Sequence, residues 1–560
     1  LRTIRFAVLL VFLLVASLIL VRTLGHRPEH ERAHERLARL VGRTPATLNI
    51  DKLKNASAED LYQLGEEYLQ VWHVRDATLL FERAVAADST RHDAWLRLIE
   101  CYANPTVDNE RGVVRAARRA QATSPTPVDT MLVSGLKSLF IDQDYAGAIN
   151  TLSTLTRAKT PSADAQFYLA LAYYRLGRLD DASKHLEPLL KQDATVGRVV
   201  ELSIRRYAAA GQLDRAAHEA SELAALYPEE PVPLVLLAQV ELARENAAAA
   251  LESADHALEL DPHCVPAILT RSCLYAQAGD FESARVSYEK LMLFDDPVLA
   301  STGHEGIAFA DFLAGDFDDG VDSMDEAIRE AMTAGDHRRG LSLSSHLVDA
   351  LCQLGRADAA EGVVERWITD FGDTPVRIAR ARIQLAHGSF DAANDVLTHL
   401  ASEKDWVLWS RRLSIDITEL GVLADIAQEK QPEALTRLAN DAKERAAVGA
   451  GALERRKFLT AYAAFQTGQA EQAIGAFADV RRAMYGLEFP YHGDPVLFVQ
   501  SYFYRAEAQL AAGQHDAARD NYAAFIRYWG DAAWDLDAIK RARQKVEALG
   551  GAGAPAQGHK

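Results

Sequence analysis

Residues of matching size return along this chain at intervals of roughly 34, and that period limits the fold more than any other feature. Leu64-Gly65, Tyr68, Ala77, Phe81 and Ala84 set the pattern. Leu169-Ala170, Tyr173, Gly177, Ala182, Leu186 and Leu189 repeat it, and Tyr207, Gly211, Ala216, Ala220, Leu223 and Pro228 follow. Leu237-Ala238, Ala250, Ala254, Ala257 and Pro262 come next, then Tyr275, Gly279, Ala284, Tyr288 and Leu291. Gly315, Gly355, Gly388, Gly468 and Gly513 mark weaker copies. Within each copy the apolar residues lie three and four apart, twice over, which predicts two amphipathic helices joined by a turn. In "RLGRLDDASKHL", Gly177 closes one helix in a left-handed cap, and Asp180 and Asp181 bring negative charge to the start of the next. Pro228 and Pro262 end second helices.

One helical hairpin cannot bury its own apolar face, but a stack of them can. The expected fold is therefore all-α, an α-solenoid. The spacing, residue sizes and turn glycines together resemble the tetratricopeptide repeat family over most of residues 58–530. That resemblance implies a protein-binding scaffold whose first helices line a concave groove. By register, Tyr62, Glu66, Tyr174, Arg175, Arg205, Gln239, Phe309 and Asp349 should face that groove and a protein or peptide in it. The family's clamp for a free acidic C-terminus needs Lys and Asn where this chain has Tyr62 and Glu66, so such a tail is not the expected ligand. Two faces of such an array could also pair in a homo-oligomer.

The pattern divides the chain. Residues 1–24 read as a membrane anchor, 25–57 as a juxtamembrane helix and linker, and 58–400 as the main solenoid. Residues 103–112 are a longer loop inside the second repeat. Residues 401–452 are helical in period without the small-residue signature, and 453–548 form a C-terminal repeat block. "AMYGLEFPYHGDPVL" reads as a long connection, and 549–560 as a flexible tail. "YAAFIRYWGDAAWDLDAIKRARQKVEAL" is similar to the closing segment of arrays attached to bacterial membrane-tethered Ser/Thr kinases and regulators.

The apolar run Phe6–Val21, extended by Ile4 and Leu24 with snorkelling arginines, is adequate for a single transmembrane helix. No small-x-small site follows it, which disfavours a cleaved signal peptide. Arg22, Arg27, Arg32, Arg36 and Arg39 after the run argue for a cytoplasmic body. The very short basic N-terminus argues for a body outside a bacterial inner membrane, the placement expected here. The first residue is Leu1, consistent with an unusual start codon or with further sequence upstream.

His30-Glu31-Arg32-Ala33-His34 matches the H-E-x-x-H pattern of zinc proteases. A protease of that kind also needs a third ligand, a flanking sheet and a walled cavity, and nothing nearby supplies them. A solvated juxtamembrane helix accounts for these residues, and no metal or cofactor site is expected. Asp370-Phe371-Gly372 matches a kinase tripeptide, yet no H-R-D-x-x-x-x-N or glycine-rich loop accompanies it. Cys101, Cys264, Cys273 and Cys352 form no C-x-x-C pair and read as core or groove residues. A net charge of −18 excludes a general nucleic-acid-binding surface.

The sequence thus predicts a non-enzymatic, membrane-anchored scaffold that helps assemble an envelope complex. The alternative is the sensory or scaffolding part of a larger membrane-tethered signalling protein. A metalloprotease is the remaining reading, the one with the least support.

Overall fold

The computed structural model describes residues 53, 56–104, 107, 109–157, 162–193, 196–402, 410–447, 454–483 and 494–550. The expected anchor and juxtamembrane helix, including His30, Glu31 and His34, lie outside the described residues, as does most of the long connection before Pro495. Among the described residues, no helix is long and apolar enough to cross a membrane.

The described residues form 27 α-helices, which pair as thirteen successive hairpins followed by one closing helix, Asp537–Ala548. The first hairpin is Ala58–Gln70 with Val74–Ala87, and the last is Pro495–Ala511 with His515–Trp529. Side chains fix where helices begin. The Ser57 and Asp60 side chains cap each other's backbone N–H groups, and Thr126 and Asp129 repeat the device. The turn between helices follows one recipe. After Ala163–Arg175, Gly177 takes φ +78°, its N–H donates to the Tyr174 carbonyl at 2.8 Å, and Arg178 N–H donates to the Tyr173 carbonyl at 2.9 Å.

Small residues set the distance between paired helices. Ala170 and Ala182 are fully buried where Ala163–Arg175 meets Leu179–Gln192. Gly65 lies so close to Phe81 that a Cβ there would stand 2.6 Å from the ring. Residues 410–447, which lack the small-residue signature, still form a hairpin, Ser410–Ala427 with Gln431–Ala447. Its turn carries Glu429 at φ +59° where most other repeats carry glycine. After Ala357–Arg366 the chain makes a 3-10 turn, Ile368–Phe371, and Gly372 at φ +92° starts the next hairpin.

Distant repeats of the array also meet one another. Helix Pro297–Ala314 packs against both helices of the last hairpin. There the Trp529 indole N–H donates to the Phe312 carbonyl at 2.9 Å, and Phe317 meets the rings of Trp529 and Trp534. Buried residues such as Phe312, Phe317 and Leu347 consequently share one core with Phe498, Phe525 and Trp529. Another such contact, at the N-terminal end, shapes the candidate site.

Candidate functional site

First helices of successive hairpins face inward, and their charged residues meet across the repeats. Arg97 donates to Glu66 at 2.5 Å and to Asp164 at 3.1 Å. Arg198 donates to Asp164 at 2.9 Å and to Glu100 at 3.0 Å, and its guanidinium lies over the Phe167 ring. The Tyr168 hydroxyl donates to Glu100 at 2.5 Å. Charges this buried persist only in such pairs. Burial pushes the Asp164 carboxyl up, but Arg97 and Arg198 outweigh it and hold the group below its ordinary value.

The turn of the first hairpin folds across this inner face. Trp72 adopts φ +64°, and its indole N–H donates to Glu201 at 2.7 Å while its ring meets Tyr227 edge-on. Gly197 makes room for it, since a Cβ there would stand 2.6 Å from the indole. His73 sits 3.1 Å from Glu230 and 3.7 Å from Asp76, and Arg75 donates to Asp296 at 2.6 Å. Burial lowers the His73 pKa, but hydrogen bonds and charge from Asp76 and Glu230 prevail and raise it to about 9. His73 is therefore cationic at neutral pH, and the turn is latched by ion pairs.

Behind this latch lies a cavity of about 540 Å³, within the size range of ligand sites. Its walls include apolar side chains such as Leu171, Val232 and Leu236 together with polar ones from several repeats. Gln239 is 7% exposed. Its Nε2 donates to Thr270 Oγ1 at 3.4 Å, and its Oε1 has no hydrogen-bond partner. Flipping the amide would exchange which end is unmet and leave the count unchanged.

Of the residues expected to face a groove, Tyr174, Arg175, Arg205 and Gln239 come together around this cavity. Arg205 also donates to Glu201 at 2.9 Å. The others lie elsewhere. Tyr62 is packed between Phe81 and Arg91, and Glu66 is committed to Arg97. Phe309 is 4% exposed in the core. Asp349 is buried against Arg382 at 2.7 Å and against Arg455, which also reaches Asp494 at 3.0 Å. Register places Glu66 and Asp349 on inward helices, and neighbouring repeats then take up their charge. Trp72, His73 and Glu230 escaped the sequence reading. The available signal was a tryptophan at a turn where most other repeats carry glycine.

Among the described residues, no group of three or more His, Cys, Asp or Glu is placed to hold a metal ion. The four cysteines are free, and burial pushes the Cys264, Cys273 and Cys352 thiols up to about 12, so they are unreactive at neutral pH.

Two family models, both described as tetratricopeptide repeat, match residues 139–202 and 500–532. The chain thus carries tetratricopeptide repeats in these two segments. Its matched segment 139–202 supplies Phe140, Phe167, Tyr174 and Arg198 to the cavity wall. Among solved structures, this repeat protein is similar to PilW, a widely conserved type IV pilus biogenesis factor, at 19% identity and TM-score 0.27, covering 38% of this chain and 97% of that one. It is also similar to yeast Tom70, at 15% identity and TM-score 0.33, covering 81% and 96%. A tetratricopeptide repeat protein from Parabacteroides merdae aligns at 17% identity and TM-score 0.29, covering 53% and 98%. No curated protein matches the sequence.

Proposed function

We propose that this tetratricopeptide-repeat protein is a scaffold without chemistry of its own, and that it receives an extended segment of a partner protein in the cavity behind the Trp72 turn. The observation that carries this reading is Gln239. A nearly buried amide with one end unmet by the protein is costly unless a ligand completes it. An extended backbone presents N–H and C=O groups at regular intervals and suits either orientation of that amide. The apolar wall formed by Leu171, Val232 and Leu236 then takes side chains from the same segment.

The reading includes a tether. The run Phe6–Val21 would hold the solenoid to a bacterial inner membrane, with the repeats on its outer side serving an envelope assembly. Fractionation of cells producing the full chain, and a form lacking residues 1–24, tests the tether. Recovery of the full chain in the soluble fraction would remove it.

A photo-crosslinking residue at Tyr174, compared with one at exposed Lys191 on a second helix, tests the cavity. Adducts are expected from position 174 and should be lost in Gln239→Leu. Equal adducts from both positions, or adducts indifferent to Gln239→Leu, would sink the proposal.

A further inference from the structure

A second cavity, of about 320 Å³, lies where residues 102–145 face the start of helix His337–Gln353, and its lining includes Tyr102, Val114, Arg175, Asp336, Arg338 and Arg339. Helix Glu110–Thr123 runs along its mouth with the sequence ERGVVRAARRAQAT, four arginines against one acid, in a chain of net charge −18. Arg111, Val114 and Arg118 are three and four residues apart and share one face of that helix. Arg111 reaches across the seam to within 3.1 Å of His337.

Nearby carboxylates are already engaged. Asp336 accepts from the Arg339 backbone N–H at 2.9 Å, Glu305 accepts from the Arg339 guanidinium at 2.5 Å, and Glu82 accepts from the Tyr102 hydroxyl at 2.5 Å. Arg115 is turned toward Tyr102, donating to its hydroxyl at 3.1 Å. The guanidinium groups of Arg118, Arg119 and Arg338 make no ion pair or hydrogen bond among the described residues, and Arg338 is half-buried. Positive charge is thus gathered at a concave seam while acid dominates the rest of the chain.

We infer that this seam binds a carboxylate-rich segment of a partner protein. Arginine forks take carboxylates in paired hydrogen bonds, and exposed Val114 gives the segment an apolar contact between them. A nucleic acid, with charge spread along its whole length, would meet the acidic remainder of the chain. The inference does not depend on the cavity behind Trp72, although Arg175 borders both.

Fluorescence anisotropy on the full chain tests it, using a labelled Glu-rich peptide of about ten residues, a matched Gln-rich peptide and a single-stranded oligonucleotide. The Glu-rich peptide is expected to bind on the order of tenfold more tightly than the Gln-rich one, and less tightly as salt rises. Arg118→Glu with Arg338→Glu should weaken it by about tenfold or more, whereas Arg527→Glu, an exposed arginine on another helix, should leave it unchanged. If the charge-reversed protein fails to fold, Arg118→Gln with Arg338→Gln replaces it and should still weaken binding. Equal affinity for the two peptides, tighter binding of the oligonucleotide, or indifference to the seam variants would overturn the assignment.

Discussion

At the scale of single residues, helix contact is decided by which positions lack a Cβ. Gly306 is buried in helix Pro297–Ala314 against the fully buried Tyr288, and a Cβ there would stand 2.2 Å from the ring. Gly306→Ala is therefore expected to destabilise by about 1–3 kcal/mol through overpacking. Gly362 has the same residue type with the opposite prospect. It is exposed within helix Ala357–Arg366, and nothing lies within 4 Å of a Cβ built there. Gly362→Ala should stabilise by about 0.5–1 kcal/mol, since alanine loses less conformational freedom in a helix. Thermal melts of the two variants check both signs at once. A rise in both melting temperatures would mean that helix propensity, rather than contact with Tyr288, governs these positions.

At the scale of the helical hairpin, the left-handed turn residue is the repeated unit. Positive φ occurs at 143, 177, 211, 245 and 279, 34 residues apart each time. Gly177, Gly211 and Gly279 suit that conformation, while Gln143 and Glu245 adopt it without the freedom of glycine. Glu245 is exposed at φ +62°, so Glu245→Gly is expected to stabilise by about 0.5–1 kcal/mol, and Gly211→Ala to cost about 1 kcal/mol. Denaturant midpoints of the two variants should move in opposite directions. Hairpins were legible in the sequence because such signals are local: a turn glycine, small residues at close helix contacts and apolar spacing of three and four. The 410–447 hairpin was harder to read because Glu429 holds its turn and the small-residue signal is weak. In the candidate site, register placed Tyr174, Arg175, Arg205 and Gln239 on first helices, and all four line the cavity. It carried no information about pairing across repeats, so Glu66 and Asp349 looked available when Arg97 and Arg382 already hold them. The latch was missed for a related reason. Trp72 and Glu201 are 129 positions apart, and a repeat period describes only nearest neighbours.

At the scale of the whole molecule, contacts between distant repeats set this chain apart from an open stack, whose stability is a sum of neighbour terms. Trp529 shows what such a contact adds. It is 1% exposed, meets Phe317 and Phe525, and its N–H satisfies a carbonyl near the end of helix Pro297–Ala314. Trp529→Ala should cost about 3–5 kcal/mol and loosen that helix together with the last hairpin, as read by amide exchange in both segments. The N-terminal contact is held differently, by charge. The His73 pKa of about 9 lies above the ordinary histidine value of 6.5, so the folded state holds the proton more tightly than the unfolded chain does. Its contribution is fully present below pH 6.5 and is lost as pH rises through 9, amounting to up to about 3 kcal/mol. Amide exchange of residues 71–87, corrected for its intrinsic pH dependence, reads this opening directly. Protection in the wild-type protein is expected to fall between pH 6.5 and 9.5, whereas His73→Gln should be weakly protected and flat across that range. Parallel profiles for the two proteins would show that the Trp72–Glu201 and Arg75–Asp296 contacts close the cavity without help from the imidazolium.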